Sequence, residues 1–139
     1  MVEISNNGII SINRGDYAEF PLFINQGNQM YPIRYEIARD SSTKFIIFAV
    51  MSFNQNFENA FLKKKYDKDS FSNSQKDLKI IFNPEDTLNV PPGKYFYEIK
   101  YVKENENGYF CQETLIPKRL FFIKEWYELF IQPIARSSL

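Results

Sequence analysis

The chain has 139 residues, of which 17% are aromatic, and its 17 Lys and Arg residues balance its 17 Asp and Glu residues. This length predicts one folded domain, and the aromatic content excludes a disordered chain because so many rings need a core or a partner to cover them. The absence of net charge argues against a nucleic-acid-binding protein, and it favours a subunit of an assembly because colloidal repulsion is weak.

The composition also limits the chemistry of the chain. Histidine is absent and Cys111 is the only cysteine. This excludes a tetrahedral zinc site and an internal disulfide, and it removes the usual base of a nucleophilic triad. We therefore predict no metal, no cofactor and no small-molecule substrate. The first ten residues show no signal-peptide pattern, and no apolar run reaches about 18 residues, so no membrane partner is predicted.

The first half of the chain alternates short apolar runs with turn residues. Residues 8–12 and 18–24 predict strands, the second at a sheet edge or with a bulge because Pro21 has no N–H to donate. Residues 33–38 alternate between apolar and polar side chains, which predicts another strand. Residues 44–53 are almost all apolar, which predicts a central strand covered on both faces.

The tripeptide Arg14, Gly15 and Asp16 separates the first two predicted strands. At the tip of an exposed loop it would match a cell-adhesion tag. Gly15 tolerates positive φ and Asp16 can close an Asx-turn, so the same residues suit a corner between strands for purely local reasons. We predict the corner, with the Asp16 side chain bonded to nearby backbone.

Residues 54–65 have a helical rather than a strand period, because their apolar side chains recur at i, i+3 and i+4: Phe57, Ala60 and Phe61. We predict one short helix there. The basic run at residues 62–66 is the only candidate nucleic-acid patch, and we interpret it as a solvated loop or helix end. Residues 67–77 are polar and predict a loop.

The second half begins with a predicted strand at residues 78–82 and a long corner at 83–94. Within the corner, Glu85 and Asp86 are a candidate acid–base pair. Asp86 followed by Thr87 is more typical of a turn cap, and we predict the cap. Asn107 and Gly108 are the strongest short hairpin signal, because both turn positions need positive φ. Residues 109–116 and 118–125 predict the last two strands.

Residues 94–102 alternate strictly, and one face is predicted to be buried: Tyr95, Tyr97, Ile99 and Tyr101. Phe96 stands among the polar residues of the other face. A second layer on that face, the C-terminal tail or another chain would cover it, so Phe96 is a candidate interaction residue.

Residues 126–139 follow the last predicted strand and carry the other candidate interaction residues: Trp126, Tyr127, Leu129, Phe130 and Ile131. A short helix ended by Pro133 would gather most of them on one face. We predict a domain at residues 1–125 and a docking arm at 126–139 that binds a neighbouring chain. The alternative is that the arm folds back over its own sheet.

These elements amount to about eight short strands and one short helix, which predicts an all-β antiparallel sandwich. Their order resembles the small immunoglobulin-like β-sandwich of tailed-bacteriophage virion proteins. It is similar to the amino-terminal module of baseplate upper proteins and to related tail and head accessory proteins. The most specific matching pieces are the turn at residues 14–16 and the stretch EDTLNVPPGKYFYEIKY at 85–101, within a match over residues 8–124.

The resemblance implies a non-enzymatic virion structural protein of the tail, baseplate or head, made in the bacterial host cytoplasm. It implies several copies that contact one another and other virion proteins, with no nucleic-acid or membrane partner. The alternative is a carbohydrate-binding or host-adsorption module, whose aromatic residues would stack on sugar rings from an exposed sandwich face. A weaker third hypothesis is a hydrolase that uses a carboxylate pair.

Overall fold

The structure, a computed structural model, describes residues 2–5, 7–21, 23–26, 29–32, 43–67, 79–104, 106–108 and 110–125. The described part holds ten strands and one helix: β1 (Val2–Ile4), β2 (Ile10–Asn13), β3 (Ala18–Pro21), β4 (Phe23–Gln26), β5 (Gln29–Pro32), β6 (Thr43–Met51), β7 (Leu62–Asp67), β8 (Lys79–Phe82), α1 (Pro84–Thr87), β9 (Gly93–Glu104) and β10 (Phe110–Lys124). The prediction of an all-β chain is confirmed. The predicted strand at 33–38, nearly all of the loop at 67–77 and the arm at 126–139 lie outside the described residues.

Six strands form one sheet in the order β1-β2-β10-β9-β6-β7. Its neighbouring strands are antiparallel except for β2 and β10, which are parallel with Ile12 opposite Ile123. The prediction of a purely antiparallel arrangement is therefore wrong at this pair. Parallel neighbouring strands must be joined by a long crossover connection. Here strands β3 to β9 all lie between β2 and β10 in the chain. Strands β3 and β8 form a second, two-stranded sheet, and β4 and β5 form a hairpin.

The main core lies between the six-stranded sheet and the β3–β8 pair. The Phe82 ring centre, on β8, is 5.8 Å from that of Phe48 on β6 and 5.5 Å from that of Phe121 on β10. Tyr97 on β9 stacks on Phe48 at 5.5 Å, and all four side chains are fully buried. Aromatic pairs at these distances add to the stabilisation from buried area, so this cluster joins the two sheets.

The central strand β6 is covered on both faces, as its apolar sequence predicts. Phe48 belongs to the main core, whereas Ala49 and Met51 form a second buried cluster with Phe57 on the opposite face. The predicted alternation of buried and less buried side chains along β9 is also confirmed. Tyr97 and Ile99 are buried in the main core, and two partly buried residues of the same face pack against it: Tyr95 and Tyr101.

The predicted helix near residues 54–65 is wrong. Residues 52–61 form turns and Leu62–Asp67 is strand β7, which pairs with β6. The side chains of Asn56 and Asn59 each accept a hydrogen bond from the other residue's backbone N–H, so local bonds replace those of a helix. From Leu62 the side chains alternate between partly buried and exposed, which is the strand period.

Two predicted strand boundaries also change. Residues 18–24 divide into β3 and β4, since β3 ends at Pro21. Residues 109–116 and 118–125 join into the single strand β10, whose register against β9 shifts between Thr114 and Ile116 and again between Ile116 and Arg119. The shifts surround Pro117, and a bulge is where a strand tolerates a proline. The predicted hairpin between β9 and β10 is confirmed, with Gly108 at φ +81°.

Candidate protein interaction surface

Strand register brings several connections to one end of the six-stranded sheet. The parallel pair of Asn13 with Lys124 aligns the last residues of β2 and β10. Gly93, the first residue of β9, is opposite Ile123. The end of β6 lies at the same level, because Met51 pairs with Phe96. We call this region the loop end and define it as residues 14–17, 52–61 and 83–92 together with Glu125.

The predicted corner at Arg14, Gly15 and Asp16 is confirmed, and the bond of the Asp16 side chain to nearby backbone stays a prediction. Gly15 has φ +80°, and the Asp16 N–H donates to the Asn13 carbonyl at 3.1 Å, which closes a turn between β2 and β3. The Gly15 N–H donates to Thr87 Oγ1 at 2.8 Å, so the turn is bonded to the helix corner. A tripeptide anchored in this way is not an extended loop tip.

An ion pair joins this corner to the end of the last described strand. Arg14 Nη2 lies 2.9 Å from Glu125 Oε1, and the two side chains are 31% and 11% exposed. Arg14 Nη1 also donates to the Leu88 carbonyl at 3.4 Å, and the Arg14 N–H donates to the Lys124 carbonyl at 2.7 Å. The end of β10 is therefore bonded to the corner by two of these contacts, and the third joins Arg14 to the residue that follows α1.

Asp86 caps the helix corner, as the sequence predicts. Its Oδ2 accepts from the Asn83 N–H at 2.7 Å, and it also lies 2.6 Å from Lys64 Nζ of β7. The carboxylate thus satisfies an N–H at the start of α1 and an ammonium group from the neighbouring sheet. Both bonds of Oδ2 connect elements of the fold, as expected of a cap.

Large apolar side chains are exposed at the loop end. Four of the five most exposed large apolar residues in the described part of the chain lie there, with these exposed fractions: Phe53 83%, Tyr17 55%, Leu88 52% and Phe61 38%. Phe53 sits in a turn held by its neighbours, since the Ser52 N–H donates to Gln55 Oε1 at 3.0 Å and the Gln55 N–H donates back to the Ser52 carbonyl at 3.0 Å. The ring is presented to solvent by an internally bonded loop.

A shallow depression of about 370 Å³ is lined by Pro92, Gly93, Lys94 and residues 122–125. It lies where the start of β9 pairs with the end of β10. Its lining includes two lysines, Glu125 and the partly buried Phe122. Glu125, which belongs to this lining, is the last residue that the structure describes.

Of the sequence-predicted interaction residues, the structure describes Phe96 alone. Phe96 is partly buried on the outer face of β9, packed against the cluster of Ala49, Met51 and Phe57, with Lys118 Nζ 5.6 Å from its ring centre. Phe96 is thus partly covered by a cluster within its own chain, two of whose residues lie on β6 and one in the turn region at 52–61. The remaining candidates lie outside the described residues: Trp126, Tyr127, Leu129, Phe130 and Ile131.

Sequence reasoning missed Phe53, Leu88 and Tyr17. Phe53 was assigned to a strand because it ends a long apolar run. The amide residues Asn54 to Asn56 that follow are typical of turns, and they would have placed Phe53 in the connection rather than in the strand. No sequence signal separates Leu88 from the buried apolar residues around it.

Tyrosine hydroxyls show the clearest electrostatic effects. Burial raises the pKa of Tyr97, and the neighbouring Arg119 partly offsets this. Burial also raises the pKa of Tyr66, whose hydroxyl accepts from the Ile81 N–H at 3.2 Å. At the loop end, the hydrogen bond that Tyr17 donates to Glu19 raises the pKa of Tyr17. In each case the neutral phenol is the favoured form.

Within the residues that the structure describes, no three or more Cys, Asp and Glu side chains are grouped to hold a metal ion. The one described helix is too short to span a membrane. Comparisons with protein-family models, curated proteins and solved structures give no match to this chain.

Proposed function

We propose that the chain is a non-enzymatic structural protein of a tailed-bacteriophage virion, a component of the tail or baseplate or a head accessory protein. In this proposal it has an immunoglobulin-like β-sandwich, is assembled in several copies, and contacts copies of itself and other virion proteins. Nucleic acid, membrane and small-molecule substrates are not its partners.

Strand order is the observation that carries this proposal. In immunoglobulin-like domains one sheet has strands G, F, C and C′ as successive neighbours, and the facing sheet pairs B with E. Here β10, β9, β6 and β7 are successive neighbours and β3 pairs with β8, in the same chain order. This agreement supports the resemblance to immunoglobulin-like virion modules, which the sequence motifs at 14–16 and 85–101 suggest independently.

The bonding of the less exposed charged groups favours a structural role over the hydrolase hypothesis. Arg14 pairs with Glu125, and Lys64 pairs with Asp86. Asp86 is the member of the candidate carboxylate pair that is not exposed, and it is bonded to the Asn83 N–H. These charges connect separate elements of the fold, as in a protein selected for a stable shape.

The tyrosine positions weigh against the carbohydrate-binding alternative. That hypothesis requires the tyrosines of β9 to form an exposed row on which sugar rings stack. Tyr97 is fully buried, and Tyr95 and Tyr101 pack against the main core from the same face. The row is therefore buried at Tyr97 and partly covered at Tyr95 and Tyr101, and we retain the assembly role.

The proposal is tested by co-sedimentation. Particles released by cells that express the gene at its natural locus are purified on a density gradient, and each fraction is probed with an antibody against the chain. We expect the chain to peak with the particles and to stay with them after a high-salt wash. A chain found only in the soluble fraction would overturn the proposal.

A further inference from the structure

We propose that the turn at Asn107 and Gly108 is a site of spontaneous chemical modification, in which Asn107 is converted to aspartate and isoaspartate. The same dipeptide occurs once more in the chain, at Asn7 and Gly8, and there the fold protects it. Neither the reaction nor the protection depends on the proposed function.

The reaction needs only water and the two residues themselves. Hydroxide removes the proton of the Gly108 N–H, and the nitrogen lone pair forms a bond to Asn107 Cγ. The bond from Cγ to the side-chain nitrogen then breaks, and ammonia leaves with a proton from water, which restores the hydroxide and leaves a succinimide ring. Water opens this ring at Cγ to give aspartate, or at the backbone carbonyl carbon to give isoaspartate. Glycine hinders the attack least because it has no Cβ.

Local conformation does not distinguish the two dipeptides. Both glycines have positive φ, which is +83° at Gly8 and +81° at Gly108. Both asparagines are exposed. The attacking nitrogen belongs to the glycine, so a difference in reactivity within the folded chain depends on what surrounds each glycine.

Asn7 and Gly8 are held on both sides of the bond that would form. The Gly8 N–H donates to the Ser5 carbonyl at 3.0 Å, and Asn7 Oδ1 accepts from the Ser5 hydroxyl. Gly8 is buried, and a Cβ built on it would lie 2.4 Å from Arg119 Nη1. Its carbonyl accepts from the buried Tyr97 hydroxyl. Ring closure must rotate the peptide between the two residues, so these contacts would have to open first.

Asn107 and Gly108 lie in open surroundings at the tip of the β9–β10 hairpin. Residues 106–108 are all exposed, and the paired register of the two strands ends at Glu104 and Phe110. A Cβ built on Gly108 would have one described atom within 4 Å, which is Glu104 Oε1 at 3.9 Å. Exposed turns open locally at low cost, so this one reaches the geometry of ring closure without disturbing the core.

The modification would alter the connection between two neighbouring strands of the six-stranded sheet. Either product adds a negative charge close in sequence to Glu104 and Glu106. Isoaspartate also adds a methylene group to the main chain, and the register of a hairpin depends on the length and type of its turn. We expect modified chains to lose pairing first between Glu104 and Phe110, while the buried part of β9 and β10 keeps its register.

Peptide mapping of the full-length chain measures both sites in one experiment. The folded chain is incubated in mildly alkaline buffer, and conversion of Asn107 and Asn7 is followed by mass spectrometry. We expect Asn107 to react about tenfold or more faster than Asn7, because the contacts around Gly8 must open before its nitrogen attacks. The matched control is the same chain unfolded in urea, in which the two sites should react at similar rates. Similar rates in the folded chain, no conversion of Asn107, or a difference that persists in urea would each overturn the inference.

Variants assign the protection to particular contacts. Arg119→Ala removes the side chain that lies over Gly8, and we expect faster conversion of Asn7 with an unchanged rate at Asn107. Ser5→Ala, at an exposed position, removes the hydroxyl bonded to Asn7 and should act in the same direction if the first variant does not fold. An unchanged rate at Asn7 in the folded variants, or an equal rise at both sites, would contradict protection by these local contacts.

Discussion

Arg14 and Glu125 form an ion pair with 2.9 Å between Nη2 and Oε1, although 111 positions separate them in the chain. The pair connects the turn after β2 to the end of β10, so it fixes the place from which residues 126–139 emerge. It gives the Arg-Gly-Asp tripeptide a structural role at its first residue.

Loss of this pair should destabilise the fold. We expect Arg14→Ala to lower the free energy of unfolding by about 1–3 kcal/mol, because Glu125 would lose its charged partner while it stays largely buried. Urea unfolding of Arg14→Ala, Glu125→Ala and the double variant measures the coupling between the two residues. Strictly additive effects would show that the ion pair contributes nothing of its own.

The turn at Gly15 provides a test of backbone conformation. Its φ of +80° strains any residue with a Cβ, and that Cβ would lie 3.3 Å from Leu88 Cδ1. We expect Gly15→Ala to cost about 1–2 kcal/mol of stability in thermal or urea unfolding. Gly15→Asn is the matched control and should cost less, because asparagine tolerates this conformation better. Equal stability of Gly15→Ala and wild type would contradict the turn geometry.

Two phenylalanines in the turn region at 52–61 should differ in how much their substitution destabilises the chain. Phe57 is 4% exposed under Lys63 and Lys100, whereas Phe61 is 38% exposed. We expect Phe57→Ala to destabilise the chain by about 3–5 kcal/mol and Phe61→Ala by much less. A helix would have placed both residues on one buried face, so similar losses in the two variants would favour the helix instead.

Alkaline pH should weaken the fold through Tyr97. Its hydroxyl donates to the Gly8 carbonyl in a buried site, and burial raises its folded-state pKa above the ordinary tyrosine value of 10.0. The stabilisation of the neutral phenol is complete below pH 10, and it is lost as the pH rises from 10 through the folded-state pKa, since the unfolded chain loses this proton first.

The variant Tyr97→Phe isolates this effect from the other tyrosines. Below pH 9 it should be less stable than wild type by about 0.5–2 kcal/mol, because the Gly8 carbonyl loses its donor. The difference between the two chains should shrink above pH 10. A difference that stays constant to the alkaline unfolding limit would show that Tyr97 titrates normally in the folded chain.

Much of the fold could be predicted from local sequence pattern. The long apolar run of β6 requires cover on two faces, and the strict alternation of β9 determines which side chains face the core. The Asn107–Gly108 turn could be read directly because few residues accept positive φ. These patterns involve only residues that are close in sequence, so they can be recognised without knowledge of the tertiary contacts.

Long-range features could not be predicted in this way. The parallel pairing of β2 with β10 and the Arg14–Glu125 bond join the two ends of the described fold, and no local pattern encodes them. The helical spacing of Phe57 and Phe61 misled for a related reason, because pairing of β7 with β6 outweighs a weak helical period. The exposure of Phe53 likewise depends on the end of strand β6 at Met51, two residues before it.

Copy number in purified particles tests the proposed virion role most directly. Isotope-labelled reference peptides from the described strands would quantify the chain against a known structural protein of the same particles. We predict a constant ratio between preparations that corresponds to several copies per particle. A chain that is absent from the particles, or present only at the level of variable host contaminants, would contradict the account.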